Sequence, residues 1–174
     1  MTAFFIYIAK YLFLNILCGL IPHPRLRAVY LKFLGASIGS NVRIENIRFI
    51  QIQYSLENLQ CGNNVFIGTG VIIDLSSRIS IGDYSLISPN CSLITHQDAG
   101  EFINNKLSRL YPRKYLPIVI KENVWIGADT TILPGTIIDS LTVIGAKSLV
   151  IGNIPSMVMA AGIPAIIKKH FTDK

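Results

Sequence analysis

Three side chains in this sequence can exchange a proton near neutral pH without a large perturbation: His23, His96 and His170. His23 lies between two prolines and His170 is close to the C-terminus, both positions of solvated side chains. His96 stands in Leu93-Ile94-Thr95-His96-Gln97-Asp98, where a regular pattern in the chain breaks off. An imidazole there suits a general base, and Asp98 or Glu101 is near enough in sequence to orient it. A lone histidine on a loop is otherwise a satisfied polar residue, so the assignment depends on what surrounds it. The cysteines, Cys18, Cys61 and Cys91, are odd in number and lack Cys-x-x-Cys spacing. Neither a disulfide framework nor a cysteine-based zinc site is indicated, and a reducing compartment fits.

The element that positions His96 is legible in the aliphatic residues. Ile120, Ile126, Ile132, Ile138, Ile144 and Val150 recur every six residues, and Val124, Thr130, Thr136, Thr142 and Ser148 follow each at the fourth offset. A helix scatters six-spaced residues over three faces, and a plain strand has no use for a small residue at a fixed offset. The same frame runs upstream through Cys61, Ile67 and Ile73, slips by two residues as at a bulged corner, and continues through Leu75, Ile81, Ile87 and Leu93. Cys61 and Cys91 thereby become inward, inert small residues. A weaker start, Ile38, Ile44, Ile50 and Leu56, has Arg48 and Gln60 at the small-residue offset, so the first coil is irregular. The pattern predicts a solenoid of six-residue sides, each roughly 20 Å long, closing a triangular prism. Between His96 and Ile118 the period lapses. Residues 97–117 interleave Lys106, Arg109, Arg113 and Lys114 with Phe102, Tyr111 and Tyr115. Such a loop suits covering a sugar or phosphate acceptor, and equally suits packing on a neighbouring subunit.

Composition bounds the rest. The 174 residues are 51% apolar and 15% charged, which excludes intrinsic disorder. Residues 1–35 carry Lys10, Arg25, Arg27 and Lys32 with no acidic residue, so most of the net charge of +6 sits on the most hydrophobic stretch. Charge placed there points to membrane headgroups rather than nucleic acid. The run 4–21 has nearly the length of a bilayer span but contains Lys10 and Asn15, which favours a helix lying in the interface. After Pro22-His23-Pro24, the spacing of Leu26, Val29, Tyr30, Phe33 and Leu34 predicts a second, basic amphipathic helix ending at Gly35. The alternative is that both helices pack on the body or on another subunit. The expected organisation is hydrophobic and basic helices over 1–35, a repeat coil over 36–160 with a loop at 97–117, and a short C-terminal helix or tail over 161–174.

The segments Ile126-Gly-Ala-Asp-Thr-Thr-Ile-Leu-Pro-Gly-Thr136, Val143-Ile-Gly-Ala-Lys-Ser-Leu-Val150 and Ala161-Gly-Ile-Pro-Ala165 resemble the hexapeptide-repeat acyltransferases, in the branch similar to the maltose, galactoside and colanic-acid acetyltransferases. The resemblance covers about residues 36–169. It implies an all-β solenoid, a left-handed parallel β-helix, whose hand periodicity alone does not specify and which departs from the usual crossover rule. It implies a homotrimer with sites between adjacent prisms and acetyl-CoA as donor. It also implies His96 as the catalytic base, with backbone N–H groups for the oxyanion. By the same resemblance Trp125, Ala128, Gly145 and Ala146 line the donor, and Lys168 and Lys169 meet its 3′-phosphate. Ile151-Gly152 replaces a Thr-Lys pair and removes one phosphate contact. Asp74, Asn90, Asp98, Arg113 and Tyr115 are the expected acceptor contacts. Gly68 stands where the maltose and galactoside branch has an Asn, a departure that argues against those sugars. No metal is expected, since zinc enzymes of this fold need three histidines and the repeat region has one.

The expected function is CoA-dependent O-acetylation of a sugar in bacterial surface polysaccharide synthesis, on a lipid-linked or nucleotide-linked acceptor. The expected place is the cytoplasm, at the inner face of the membrane, with residues 1–35 on the lipid. Two alternatives stay open from sequence: N-acetylation of a nucleotide-linked amino sugar, and a non-catalytic membrane-tethered scaffold.

Overall fold

The computed structural model describes residues 2–100 and 105–172. Glu101 and Phe102 therefore lie outside the described residues. The repeat region winds into a β-solenoid of about six turns with three parallel sheets as its sides. One side stacks the strands Ser37–Ile38, Leu59–Cys61, Ile79–Ile81, Ile118–Ile120, Ile137–Ile138 and Asn153–Ile154. A regular turn of the coil is eighteen residues, as in the pairing of Trp125 with Val143 and of Thr131 with Leu149. The six-spaced residues Ile120, Ile126, Ile132, Ile138, Ile144 and Val150 are 0–1% exposed and fill the prism. Thr130, Thr136 and Thr142 are fully buried at the small-residue offset. The first five of the six-spaced residues are each followed three positions later by a corner with positive φ, at Asn123, Asp129, Gly135, Leu141 and Lys147. Asn, Asp and Gly tolerate that conformation, which explains their recurrence at the corners.

The first coil departs from the expected frame. Phe49, not Ile50, points inward, and its strand Arg48–Ile50 pairs with Ile72–Asp74 at a longer spacing than one regular turn. The extra residues form an excursion after Ile50 that includes the short helix Leu56–Asn58.

The C-terminal segment, expected as a short helix or tail, contains a strand. Ile166–His170 returns antiparallel to Val158–Ala161 and covers the last edge of its sheet. A solenoid end has unpaired backbone groups, and a returning strand satisfies them where a helix cannot.

The other end is closed by the N-terminal helices, which turn polar side chains toward the coil. Lys10 Nζ donates to the carbonyls of Gln53 and Tyr54 at 3.3 and 3.2 Å. The Asn15 amide donates to the Phe49 carbonyl and accepts from the Phe49 N–H, pairing with the edge strand Arg48–Ile50 as another strand would. In the second helix, Pro24–Phe33, Arg27 is buried against Ile44 O and the Glu45 carboxylate, while Leu26, Val29 and Phe33 are exposed. The polar side chains turn inward because the open end of the coil offers unpaired carbonyls and N–H groups. Phe4, Phe5, Ile8, Leu12, Phe13 and Ile16 consequently face outward. Among the described residues no helix is long and apolar enough to cross a membrane.

Candidate active site

His96 begins the strand His96–Gln97, which pairs antiparallel with Lys114–Tyr115 where the irregular segment folds back. A short helix, Lys106–Leu110, is capped by Asn105, whose side chain accepts from the Ser108 N–H. This pairing seats Tyr115 directly beside His96.

The ring of His96 is held from behind. Its Nδ1 lies 2.5 Å from Asp74 Oδ2, and Asp74 is fully buried. Asp74 ends the strand Ile72–Asp74, between Ile73 and Leu75, and is buried together with both. Its carboxylate also accepts from the backbone N–H groups of Ser76, Thr95 and His96 and from Ser76 Oγ. Burial works to raise the Asp74 pKa, but the hydrogen bonds from Ser76, His96 and Thr95 prevail and hold it below the usual carboxylate value. An ionised Asp74 accepts the Nδ1–H, which fixes the tautomer and leaves Nε2 as the lone-pair nitrogen. Nε2 is 3.3 Å from the side-chain amide nitrogen of Gln51, a donor to that lone pair. Gln51 holds φ 54° at the start of the first-coil excursion, and its Oε1 accepts from Gln53.

Around this dyad the surface is polar and aromatic. The Tyr54 hydroxyl donates to Tyr115 Oη at 2.8 Å, and Arg113 donates to the same oxygen and to Asp98 through both Nε and Nη2. Tyr111 donates to Gln97.

The fold therefore gathers His96, Asp74, Tyr115, Arg113 and Asp98, with two roles changed. Asp74 is not an acceptor contact, because it is buried and saturated behind the imidazole. Asp98 does not orient the ring, because it is committed to Arg113. Asn90 is elsewhere, at an exposed corner with φ 61° above Gly70. Gln51, Gln53 and Tyr54 are additions. Their signal in the sequence is faint: Ile50 and Leu56 keep the six-residue spacing across them, and only Arg48 and Gln60 at the small-residue offset mark the first coil as irregular.

The expected donor residues form a second cluster. Gly127 lies so close to the next coil that a Cβ would stand 2.5 Å from Ala146 N, and one on Gly145 would stand 2.7 Å from the Ala161 Cβ. Ala128 accepts from the Lys147 N–H. These small residues stack along one corner of the prism and leave the backbone approachable from outside. Trp125, 54% exposed, stands beside the column with its Nε1 donating to Ser88 Oγ. Lys168 and Lys169 are exposed on the returning C-terminal strand. The column precedes the side containing Ser92–Leu93 and Thr131–Ile132, and His96 follows it. The two clusters of one chain thus stand a full side of the prism apart.

The family model for bacterial transferase hexapeptide (six repeats) matches residues 117–152. The galactoside O-acetyltransferase of Escherichia coli (strain K12) is 32% identical over 148 residues, 85% of this chain and 70% of that protein. WcaF of the same organism, an acetyltransferase named for colanic acid biosynthesis, is 33% identical over 143 residues, covering 82% and 74%. The solved structure of a galactoside acetyltransferase in complex with coenzyme A aligns with a TM-score of 0.78 at 28% identity, over 96% of this chain and 79% of that one. A coil of this period with a histidine at its interrupted corner, matched at this identity along most of known acetyltransferases, makes the chain a member of the hexapeptide-repeat acetyltransferase family, close to the galactoside and colanic-acid enzymes.

Proposed function

We propose that the protein transfers an acetyl group from acetyl-CoA to a sugar hydroxyl, with His96 as the general base. The observation that carries this reading is the buried Asp74 behind Nδ1, which leaves Nε2 basic and outward. The acceptor hydroxyl displaces the Gln51 amide and passes its proton to Nε2 as its oxygen attacks the thioester carbonyl carbon. Collapse of the tetrahedral intermediate breaks the carbon–sulfur bond. The departing thiolate takes the proton back from the imidazolium and leaves as CoA thiol, and the sugar carries the acetyl ester. The donor lies along the small-residue corner of Gly127, Ala128, Gly145 and Ala146, in keeping with the coenzyme A bound by the galactoside acetyltransferase.

The active assembly in this reading is a homotrimer. What supports it is the separation of the base and the donor column on different corners of one prism, roughly 20 Å of extended chain. A neighbouring copy that lays its column against the His96 corner joins them. The acceptor sugar belongs to a surface polysaccharide, which the kinship with a colanic acid acetyltransferase supports. The outward apolar face of residues 4–16 supports a location at the inner face of the cytoplasmic membrane, since a contiguous apolar patch of this kind marks an interaction surface.

Calorimetric titration with acetyl-CoA and dephospho-CoA tests the reading. One saturable site per chain is expected, weaker without the 3′-phosphate. His96→Ala should still bind the donor but turn over about 10²-fold more slowly, or worse, and alkali should release acetate from the product. Absence of donor binding, or full turnover by His96→Ala, rejects it; an alkali-stable product moves the reaction to an amine.

A further inference from the structure

A groove runs from the N-terminal helix to the base. It is lined by Tyr7 and Tyr11 on one wall and by Arg48, Phe49, Ile50 and Gln51 on the other. Tyr11 and Arg48 also line an adjoining groove that continues past Ile16. One end therefore opens onto the exposed apolar face of the helix, where Ile8, Leu12 and Ile16 are 44–47% exposed. The other end is Gln51, whose amide touches His96 Nε2. Midway stands Arg48. It is exposed on the outer face of its strand, and among the described residues its guanidinium has no hydrogen-bond or ion-pair partner. Three residues of extended chain, roughly 10 Å, separate it from Gln51.

We propose that this groove receives the phosphate-bearing end of a lipid-linked sugar. Arg48 holds the phosphate, Tyr7 and Tyr11 line the first part of the lipid chain, and the helix's outward face keeps the remainder at the bilayer. The sugar then reaches past Gln51 to His96. Charge and polarity follow the order of such a molecule: apolar, then cationic, then hydrogen-bonding. Arginine suits a phosphate because its planar donors match the oxygens. A nucleotide-linked sugar also brings phosphate, but it has no use for an apolar continuation of the groove. This proposal rests on the sugar acetyltransferase reading, and it selects among that reading's acceptors.

The test uses the full chain and a short lipid phosphate, farnesyl phosphate, in calorimetry beside uridine diphosphate, inorganic phosphate and farnesol. Saturable binding of farnesyl phosphate is expected, at least tenfold tighter than any of the other three. Arg48→Ala and Tyr11→Asp should each weaken it tenfold or more, while Arg78→Ala, the loss of an exposed arginine outside the groove, should leave it unchanged. Absence of saturable binding, as when a second copy of the chain covers the groove, overturns the proposal. So does binding indifferent to Arg48, or uridine diphosphate binding as tightly. Acetyl-CoA is titrated into the same samples. Loss of donor binding counts against the transferase reading, and the farnesyl phosphate titration judges the groove independently.

Discussion

The imidazole of His96 is useful because of what holds it. Asp74 makes hydrogen bonds to five donors, and its ionised form is favoured in the fold. Asp74→Asn should lower turnover on the order of 10²-fold, because an amide no longer enforces the Nδ1–H tautomer. It should also cost about 1–3 kcal/mol of stability at neutral pH, as buried donors lose an ionised acceptor. The sign of the pH dependence follows from the depressed pKa. Asp74 contributes its full stabilisation above its unfolded value of about 3.9 and loses it as pH falls through the lower folded value. Denaturant unfolding of wild type and Asp74→Asn should therefore show a stability gap at pH 7 that closes in strong acid. The cysteines follow the opposite logic. Burial pushes Cys61 up to about 12 and Cys91 to about 11 and raises Cys18 as well, so a thiol reagent at pH 8 should modify none until the protein unfolds.

At the scale of elements, the N-terminal helix and the first-coil excursion act as one unit. Lys10 fastens the carbonyls of Gln53 and Tyr54, and those residues carry the hydrogen bonds that reach Gln51 and Tyr115. Lys10→Ala should raise KM for the acceptor more than KM for acetyl-CoA, measured in paired kinetics. Deletion of residues 1–35 is a poor probe of membrane binding, because Leu14, Cys18, Ala28 and Leu31 belong to the core. Substitutions on the outward face are the cleaner test. Phe5→Glu with Leu12→Glu should leave unfolding unchanged and abolish co-flotation with phosphatidylglycerol vesicles; retained flotation would place the lipid contact elsewhere. The helices themselves are legible in the sequence, through the apolar run and the Pro22-His23-Pro24 break. Which side packs inward is not. Amphipathic patterning assumes an apolar partner, and the end of a solenoid is an edge of unpaired backbone that selects Lys10, Asn15 and Arg27.

At the scale of the whole molecule, the base and the donor corner stand on either side of one face of the prism. His96→Ala loses the base, and Ala146→Trp fills the donor column. Each variant alone should turn over at least about 10²-fold more slowly than wild type. Co-refolded together they should regain activity if sites form between copies, and none if each chain is self-sufficient. Filling the coil also sets stability. Ile126→Ala, at a fully buried position, should cost about 2–5 kcal/mol by denaturant unfolding.

The coil is already legible in the order of the residues. Six-spaced aliphatic residues with a small residue at the fourth offset suit only a prism of short sides, because each inward position repeats with every side regardless of what lies outside. The same order singles out His96, through the lapse in that period. The tertiary structure decided the company His96 keeps. Asp74 and Gln51 are far from it in sequence and meet it only because successive coils stack their irregular corners. The structure likewise decided the two ends, where unpaired backbone outweighs local pattern: a returning strand at Ile166–His170, and an N-terminal helix with its apolar side turned out.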